Sequence, residues 1–365
     1  MEIRQFIHSP FVLLSNGEAI KEVESPADVA AEIQTVNPLT HLLEKSMNAM
    51  NRSLGHLLKA PSIIDKSLSG TDVEHTAQHV IAELVEQIHS KQDRANKWAL
   101  QVRQCCAVMA SGQDTGLQDE GQLQQLNDEQ NRILRLLKEH PEQDPPLEIV
   151  EALDETINSS DDFFEKLLEL ISLIKHGYLA GYERVIAAYT AFFTDFNAQI
   201  TAMMKDWIEG ANDGKEVKLD VKALRAALSE LIAKYTHPND ASVLFPDPDK
   251  GGTSKEEADK WREALGLPPQ CLKQNADGTW CVVIDTSPLE TMKKGLPPED
   301  TVTWDTAKFN AWQSGFNAQE ESMKNMLQSY TQKYSNANSY HDNFNKTLSA
   351  HLNQYADMLK AMLNF

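Results

Sequence analysis

Apolar residues recur at three- and four-residue steps along the first third of the chain, a spacing that predicts amphipathic helices. One such run extends over residues 37–61 and a second over residues 80–106, and a shorter one follows over 126–137. Short connections between helices favour antiparallel neighbours. We therefore interpret residues 36–145 as an N-terminal helical hairpin.

The longest apolar patterns lie further along the chain, where two seams repeat with the spacing of coiled-coil core positions. The first covers residues 164–207 and contains one additional four-residue step near Gly181, which predicts a stutter. The second covers residues 309–362, and a helix over residues 305–364 would be roughly 90 Å long. Neither stripe can be buried alone, so the two helices are predicted to pack antiparallel. The residues assigned to the coiled-coil core include Ile171, Tyr178, Tyr182, Tyr189, Phe196, Phe316, Leu327, Tyr330, Phe344 and Leu348.

The segment between the two seams differs in composition, because six of the fifteen prolines fall within residues 238–288. Residues 217–221 alternate between apolar and polar side chains, as in a half-buried strand. Residues 271–284 read as a β-hairpin with its turn at Gly278. We interpret residues 210–303 as a small mixed α/β insert at one end of the coiled coil.

These patterns together predict a mainly α protein with a long antiparallel intramolecular coiled coil, an N-terminal helical hairpin and a small mixed α/β insert. The first residues are only weakly periodic and are interpreted as a mobile N-terminus. Residues 139–165 contain ten acidic residues and no Lys or Arg, which predicts a solvated linker. The predicted organisation is 1–35 mobile N-terminus, 36–145 hairpin, 146–209 acidic linker and first coiled-coil helix, 210–303 insert, and 304–365 second coiled-coil helix.

The 365-residue chain is strongly acidic, since 34 Lys and Arg against 54 Asp and Glu residues give a formal net charge of −20. This charge argues against general nucleic-acid binding and against docking on an anionic membrane, which both need clustered basic residues. No apolar run approaches the ~18 residues of a membrane-spanning helix. The first residues also lack a convincing small-residue cleavage site, so a Sec signal peptide is not expected.

The sequence contains few groupings that would support catalysis or metal binding. His75 and His79 share one helix face at a spacing that can hold zinc, but no third ligand is evident. Cys271 and Cys281 could approach each other across the predicted β-hairpin, although free thiols are the default interpretation. Phosphate-binding glycine loops, nucleophile elbows and metalloprotease motifs are absent from the sequence. We therefore expect neither an enzyme nor a resident cofactor or metal.

The second half of the chain resembles the IpaD/SipD/BipD family, whose members form the needle tip of type III secretion systems. The most specific resemblance covers residues 303–324 and continues through 327–339 to Asp342, Asn343 and the terminal Phe365. Shorter matches lie at residues 182–190, 217–221, 243–246 and 271–273, so the resemblance covers about half of the chain, from Tyr178 onward. Residues 1–177 resemble the family only in their layout.

The resemblance implies the same fold as the sequence patterns and a non-enzymatic role. Family members leave the bacterial cytoplasm through the secretion channel by an uncleaved N-terminal signal. They assemble on the needle tip as a pentamer, restrain secretion until host contact and form the platform for the hydrophobic translocator, which supports invasion. The hairpin acts in the family as a built-in chaperone that covers the coiled-coil surface later occupied by the needle subunit.

Polar Asn and Ser residues dominate one part of the second coiled-coil helix, where the apolar seam thins. We place the needle or oligomer contact there as a hypothesis, with solvated helix faces as the alternative. Some family members bind bile salts between hairpin and coiled coil, and the sequence leaves such binding open. A secreted coiled-coil effector or adaptor that shares the scaffold is the alternative function. The residues of the hypothetical needle contact are Lys333, Tyr334, Asn336, Asn338, Asp342 and Asn343.

Overall fold

The computed structural model describes residues 37–59, 73–116, 119–138 and 160–364 of the chain. The predicted N-terminus with its secretion signal, at residues 1–35, lies outside the described residues. The same holds for the acidic linker up to residue 159 and for the terminal Phe365. All described residues belong to one compact unit.

Three helices form the N-terminal region. The first begins where Asn37 accepts a hydrogen bond from the Leu39 amide at 3.0 Å, with Pro38 at the first helical position. Both features favour a helix start, because the amide of Leu39 would otherwise lack a partner and proline needs none. The bounds are α1 Pro38–Leu57, α2 Val73–Gly116 and α3 Glu120–Lys138.

The first coiled-coil helix contains two π-helical stretches. One of them directly precedes Gly181, the position near which the sequence pattern predicted a stutter. A π-helical turn accommodates an additional residue and shifts the apolar stripe, so the stretch absorbs the change of phase in the seam. The elements are α4 Ser160–Ser172, a π-helix Leu173–Leu179, α5 Ala180–Phe196, a π-helix Asn197–Thr201 and α6 Met204–Trp207.

The second coiled-coil helix, α10, extends over Thr306–Leu363 and contains 58 residues. Asp305 caps its beginning by accepting a hydrogen bond from the Lys308 amide at 2.8 Å. The ring of Tyr189 lies 5.1 Å from that of Tyr330, and the ring of Phe164 lies 6.0 Å from that of Tyr355. Since earlier residues of the first helix contact later residues of α10, the two run antiparallel, which confirms the predicted fold class.

Two small antiparallel sheets and three helices form the insert. One sheet has the strand order β1-β2-β6 and the other β3-β5-β4. Strand β1 begins shortly before the predicted insert of residues 210–303 and β6 ends shortly after it, so these two strands connect the insert to the coiled coil. In the β4–β5 hairpin Gly278 has a φ of 87°, a conformation that favours glycine. The bounds are β1 Ile208–Ala211, β2 Glu216–Asp220, α7 Val221–Lys234, β3 Val243–Phe245, α8 Lys255–Leu265, β4 Leu272–Gln274, β5 Trp280–Val283, α9 Ser287–Lys294 and β6 Thr301–Asp305.

The buried apolar side chains form two separate clusters that share helix α10. The insert core combines the insert with α5 and the first half of α10, and includes Tyr189, Leu228 and Phe316. The hairpin core combines α1, α2, α3 and α4 with the second half of α10, and includes Trp98 and Leu352. Among the described residues, no helix has the length and apolar character needed to cross a bilayer.

Candidate partner-binding surface on the C-terminal helix

The second half of α10 is covered by the N-terminal helices. Its side chains contact α2 and α3 or are buried in the hairpin core, although the sequence gives them the amphipathic pattern of a coiled-coil helix. Removal of α2 would therefore expose a contiguous surface that contains both apolar and polar groups. We call this surface the hairpin-covered face and define it by Asp342, Asn345, Leu348, Leu352, Tyr355 and Leu359.

A buried ion pair joins α2 to this face. The Lys91 ammonium, whose residue is only 4% exposed, donates to Asp342 Oδ1 at 2.5 Å and to the Leu57 carbonyl at 3.2 Å. Burial lowers the pKa of Lys91, and the carboxylate of Asp342 opposes that shift. Burial works to raise the pKa of Asp342, but hydrogen bonding with His341 and the charge of Lys91 hold it below its usual range. Lys91 of α2 therefore contacts both α1, through Leu57, and α10, through Asp342.

Next to the ion pair, the side chains of His341, Asn345 and Trp98 form a series of hydrogen bonds. His341 Nδ1 lies 3.4 Å from Asp342 Oδ1, and the Asn345 amide donates to His341 Nε2 at 3.0 Å. The Trp98 indole N–H then donates to Asn345 Oδ1 at 2.8 Å. Burial lowers the pKa of His341, so its imidazole is neutral at pH 7 and its Nε2 can accept. This arrangement gives the buried side chains of His341, Asn345 and Trp98 hydrogen-bond partners.

A second polar contact lies further along the hairpin-covered face. The Tyr355 hydroxyl accepts hydrogen bonds from the side-chain amides of Gln113 on α2 and Gln130 on α3, the latter at 2.7 Å. All three residues are buried, so each lost bond would leave a polar group without water or a partner. Tyr355 therefore joins α2 and α3 to α10.

A cavity of about 750 Å³ lies between α2, the π-helical stretch before α5 and helix α8 of the insert. Its wall includes the rings of Tyr178, Tyr182 and Trp261. Glu183 also lines it and is 5% exposed, with one oxygen accepting from the Gln92 amide at 2.6 Å. The other oxygen is buried and has no hydrogen-bond partner in the described structure. Burial raises the pKa of Glu183 to about 7.

The residues of the hypothetical needle contact lie in different environments. Asn336 is exposed, whereas Lys333 and Asn343 are half-buried. Tyr334 is 3% exposed and belongs to the insert core, and Asp342 is the partner of Lys91. The remaining residue, Asn338, is half-buried, and its side-chain oxygen is buried with no partner in the described structure.

Nine of the ten residues assigned to the coiled-coil core are buried in the structure. The tenth, Tyr178, is half-buried, and its ring contacts Tyr182 and Tyr340 edge to face. Periodicity identified these positions because they lie on one face of a helix. Periodicity also placed Trp98 and His341 on the predicted helical seams, but it gave no indication of their hydrogen bonds. It gave no indication of Lys91 and Asn345, or of Glu183 in the cavity.

The structure contains no group of three potential metal ligands among its described residues. The side chains of His75 and His79 lie outside that described set. All four cysteines are buried and free, and burial raises the pKa of the Cys271 thiol to about 12. In the β4–β5 ladder Cys281 stands opposite Lys273 instead of Cys271, and both thiols are free, as the default interpretation of the sequence predicts.

The proteins of similar sequence include a cell invasion protein and an invasin. The chain is 40% identical over 214 residues to the cell invasion protein SipD of Salmonella typhi, which covers 57% of this chain and 62% of that protein. It is 37% identical over 211 residues to the invasin IpaD of Shigella flexneri, covering 57% and 61%. The chain thus spans about three fifths of the length of the curated relatives it matches.

A solved structure is similar over most of the chain. It is that of the pathogenicity island 1 effector protein from Chromobacterium violaceum, with a TM-score of 0.58 and 26% identity, covering 88% of this chain and all of that one. The family model for type III secretion systems tip complex components matches residues 15–363, which includes the hairpin as well as the C-terminal half. The predicted resemblance is thereby confirmed, and the chain belongs to the family of type III secretion system tip complex components.

Proposed function

We propose that this protein caps the needle of a type III secretion system, restrains secretion until host contact and provides the platform for the translocator pore. The observation that carries the proposal is the hairpin-covered face, in a chain that belongs to the tip-complex family. The face is amphipathic and extends along α10 from Asp342 to Leu359, nearly the length of the 20-residue helix α1. Such a surface is suited to a helical partner, because the chain's own helices already bind there.

The hairpin is the self-chaperone of this surface. Leu348, Leu352 and Leu359 are fully buried beneath it, and their exposure before assembly would promote premature association. A cover within the same chain acts at high effective concentration and is displaced only when a partner supplies equivalent contacts. Of the hypothetical contact residues, Asn336 is accessible at once, whereas Asp342 is half-buried and paired with Lys91 until α2 leaves.

A covalent tether between α2 and α10 tests this step. A side chain added at Gly112 would place its Cβ 3.4 Å from Leu359 Cδ2, so Gly112→Cys and Leu359→Cys introduce two thiols at facing positions of α2 and α10 that can be tested for disulfide formation. With the linkage verified by mass spectrometry, the oxidised protein should lose binding to purified needle subunit and recover it on reduction. Equal binding in both redox states would show that the hairpin does not have to move.

The place of action in this proposal is the needle tip, reached through the secretion channel with a signal in residues 1–35. The protein assembles there as a pentamer and contacts the needle subunit and the hydrophobic translocator. Immuno-electron microscopy of sheared needles, with a deletion strain as control, tests the location. Label confined to needle ends supports the proposal, whereas recovery of the protein inside host cells would favour a secreted effector or adaptor.

The cavity between α2 and the insert supports a second proposal, that the protein binds bile salts. A bile salt combines a rigid apolar body with an anionic end, and the cavity offers Tyr182 and Trp261 together with Lys175 and Lys250. Titration calorimetry with deoxycholate should give saturable binding below its micellar concentration. Lys250→Ala should weaken that binding, and heat changes only at micelle formation would contradict the proposal.

A further inference from the structure

Asp342 is a carboxylate whose charged partner comes from the hairpin. Its side chain is 20% exposed, and the ammonium of Lys91 binds it at 2.5 Å. His341 contacts the same oxygen at 3.4 Å, but burial lowers its pKa and keeps it neutral at pH 7. Lys346, one helical turn further along α10, is exposed and donates to Asn343 at 3.5 Å. The second half of α10 therefore relies on α2 to neutralise Asp342.

A helix that takes the place of α2 would bury Asp342 again. A carboxylate that is buried without a cation destabilises the contact severely, whereas one that is paired and hydrogen-bonded does not. Beneath α2 the side chain of Asp342 keeps only 20% of its exposure, so a partner that packs as closely would leave the carboxylate largely desolvated. A displacing helix must therefore provide a positive charge at this point.

We propose that the helix which replaces α2 on the hairpin-covered face carries a Lys or Arg that binds Asp342, and that Lys91 occupies the place of this residue before assembly. The proposal rests on the function proposed above, in which a helical needle subunit displaces the hairpin. The occupant is an amphipathic helix with a basic residue at one end of its apolar stripe.

The orientation of the partner follows from α2. Along α2, Lys91 contacts Asp342, Trp98 contacts Asn345 and Gln113 contacts Tyr355. Both helices therefore run in the same direction along this face. A partner that uses the same groups would run parallel to α10, with its basic residue nearer its N-terminus than the residues that contact Tyr355.

Two variants that break the same ion pair separate the proposed role from a structural one. Lys91→Met and Asp342→Asn both remove the attachment of α2, so both should loosen the hairpin, as hydrogen exchange of α2 amides would report. Lys91→Met leaves Asp342 available and should strengthen binding to purified needle subunit. Asp342→Asn removes the group that the partner needs and should weaken binding by at least about tenfold, the equivalent of roughly 1.4 kcal/mol.

A charge exchange tests the pairing directly. The double variant Lys91→Glu, Asp342→Lys restores an internal pair of reversed sign and should bind native needle subunit poorly. A subunit in which one Lys or Arg is changed to Glu should restore binding to this variant and bind the native chain poorly. The exchange Glu209→Lys, Lys218→Glu, an exposed pair at 3.5 Å in the insert sheet, serves as the control and should leave binding unchanged.

The outcomes distinguish the two proposals. If the native chain binds needle subunit but Lys91→Met and Asp342→Asn change the affinity in the same direction, the pairing at Asp342 is wrong and the proposed function stands. If no change of a Lys or Arg to Glu in the subunit restores binding to the double variant Lys91→Glu, Asp342→Lys, the proposed pairing at Asp342 is likewise wrong and the proposed function stands. If the native chain does not bind the subunit, the proposed function fails and this inference fails with it.

Discussion

At the scale of single residues, Glu183 makes the docking of α2 dependent on pH. Its pKa is raised by burial from 4.5 to about 7. The docked protein therefore binds more protons than the opened one between these values, so docking weakens as the pH rises from about 4.5 to about 7 and levels off above that. Between pH 6 and pH 8 the docking constant should fall about tenfold, or about 1.4 kcal/mol. The ionisable groups that face Glu183 are His89 and Lys91 of α2, Lys175 of the π-helical stretch and Tyr334 of α10.

The variant Glu183→Gln should remove this dependence, because a neutral amide resembles the protonated acid. Hydrogen exchange of α2 amides should be slower in the variant than in the native chain at both pH values, and the difference should be about tenfold smaller at pH 6 than at pH 8. Burial lowers the pKa of His341, so this residue weakens docking as the pH falls below about 6.5. Its effect cancels in the comparison because the native chain and the variant both contain His341. Glu320→Gln is the control, as burial also raises the pKa of Glu320 on α10 away from α2. An equal effect of both variants would contradict the assignment.

Gly181 permits the close approach of the insert to the coiled coil. A Cβ at this position would lie 2.2 Å from Cη2 of Trp261, a distance that requires the backbone or the indole to move. Gly181→Ala should therefore lower the free energy of unfolding by about 1–3 kcal/mol. Gly177→Ala, one turn earlier, would place its Cβ 3.6 Å from Leu173 and should be neutral or stabilising by up to about 1 kcal/mol. Urea denaturation of both variants measures the difference, and equal losses would show that the indole has room to move.

At the scale of elements, the helices and strands with a regular spacing of apolar residues can be predicted from the sequence. The two apolar seams predicted the paired long helices, and the additional four-residue step near Gly181 marked the π-helical stretch Leu173–Leu179. The two strands of the β4–β5 hairpin were recognisable from alternation and turn residues. These signals are local, because neighbouring residues of one element carry them.

The polar contacts between elements could not be predicted in the same way. Lys91 and Asp342 are 251 residues apart, and nothing in either local pattern indicates that each is the other's partner. The run of polar residues near Asp342 indicates a surface for a partner, whereas the structure shows that Asp342 already binds the hairpin. Tyr334 lies within the same run of sequence, but it is buried in the insert core.

One element-scale prediction concerns the docking of α2. Trp98→Phe keeps most of the ring but removes the N–H that binds Asn345, leaving a buried amide oxygen without its donor. The variant should lose about 1–3 kcal/mol of stability, seen by chemical denaturation and by faster exchange of α2 amides. Trp312→Phe, whose indole makes ring contacts with Phe309 and Phe316, should cost less and leave α2 exchange unchanged. Faster α2 exchange in both variants would point to a general loss of stability instead.

At the scale of the whole molecule, the two apolar cores divide the structure at the middle of α10. The hairpin core can open with little exposure of the insert core, because Ile88 of α2 is the only buried apolar residue among the described hairpin residues that belongs to the insert core. This division suits a protein in which one region has to move while the other remains folded. Regions with fewer shared contacts open as separate cooperative units, each with its own free energy.

Matched Leu→Ala substitutions test this division. Leu352 in the hairpin core and Leu228 in the insert core are both fully buried, so each substitution should cost about 2–5 kcal/mol. Leu352→Ala should speed hydrogen exchange in α1, α2 and α3 and leave the amides of β2 and α7 protected. Leu228→Ala should have the reverse effect, with exchange of α2 close to native. If each substitution sped exchange equally in both regions, the molecule would unfold as one unit, and displacement of the hairpin would require global unfolding. Separate responses would mean that the hairpin can leave α10 while the insert and its half of the coiled coil stay folded, as the proposed exchange of helices on α10 requires.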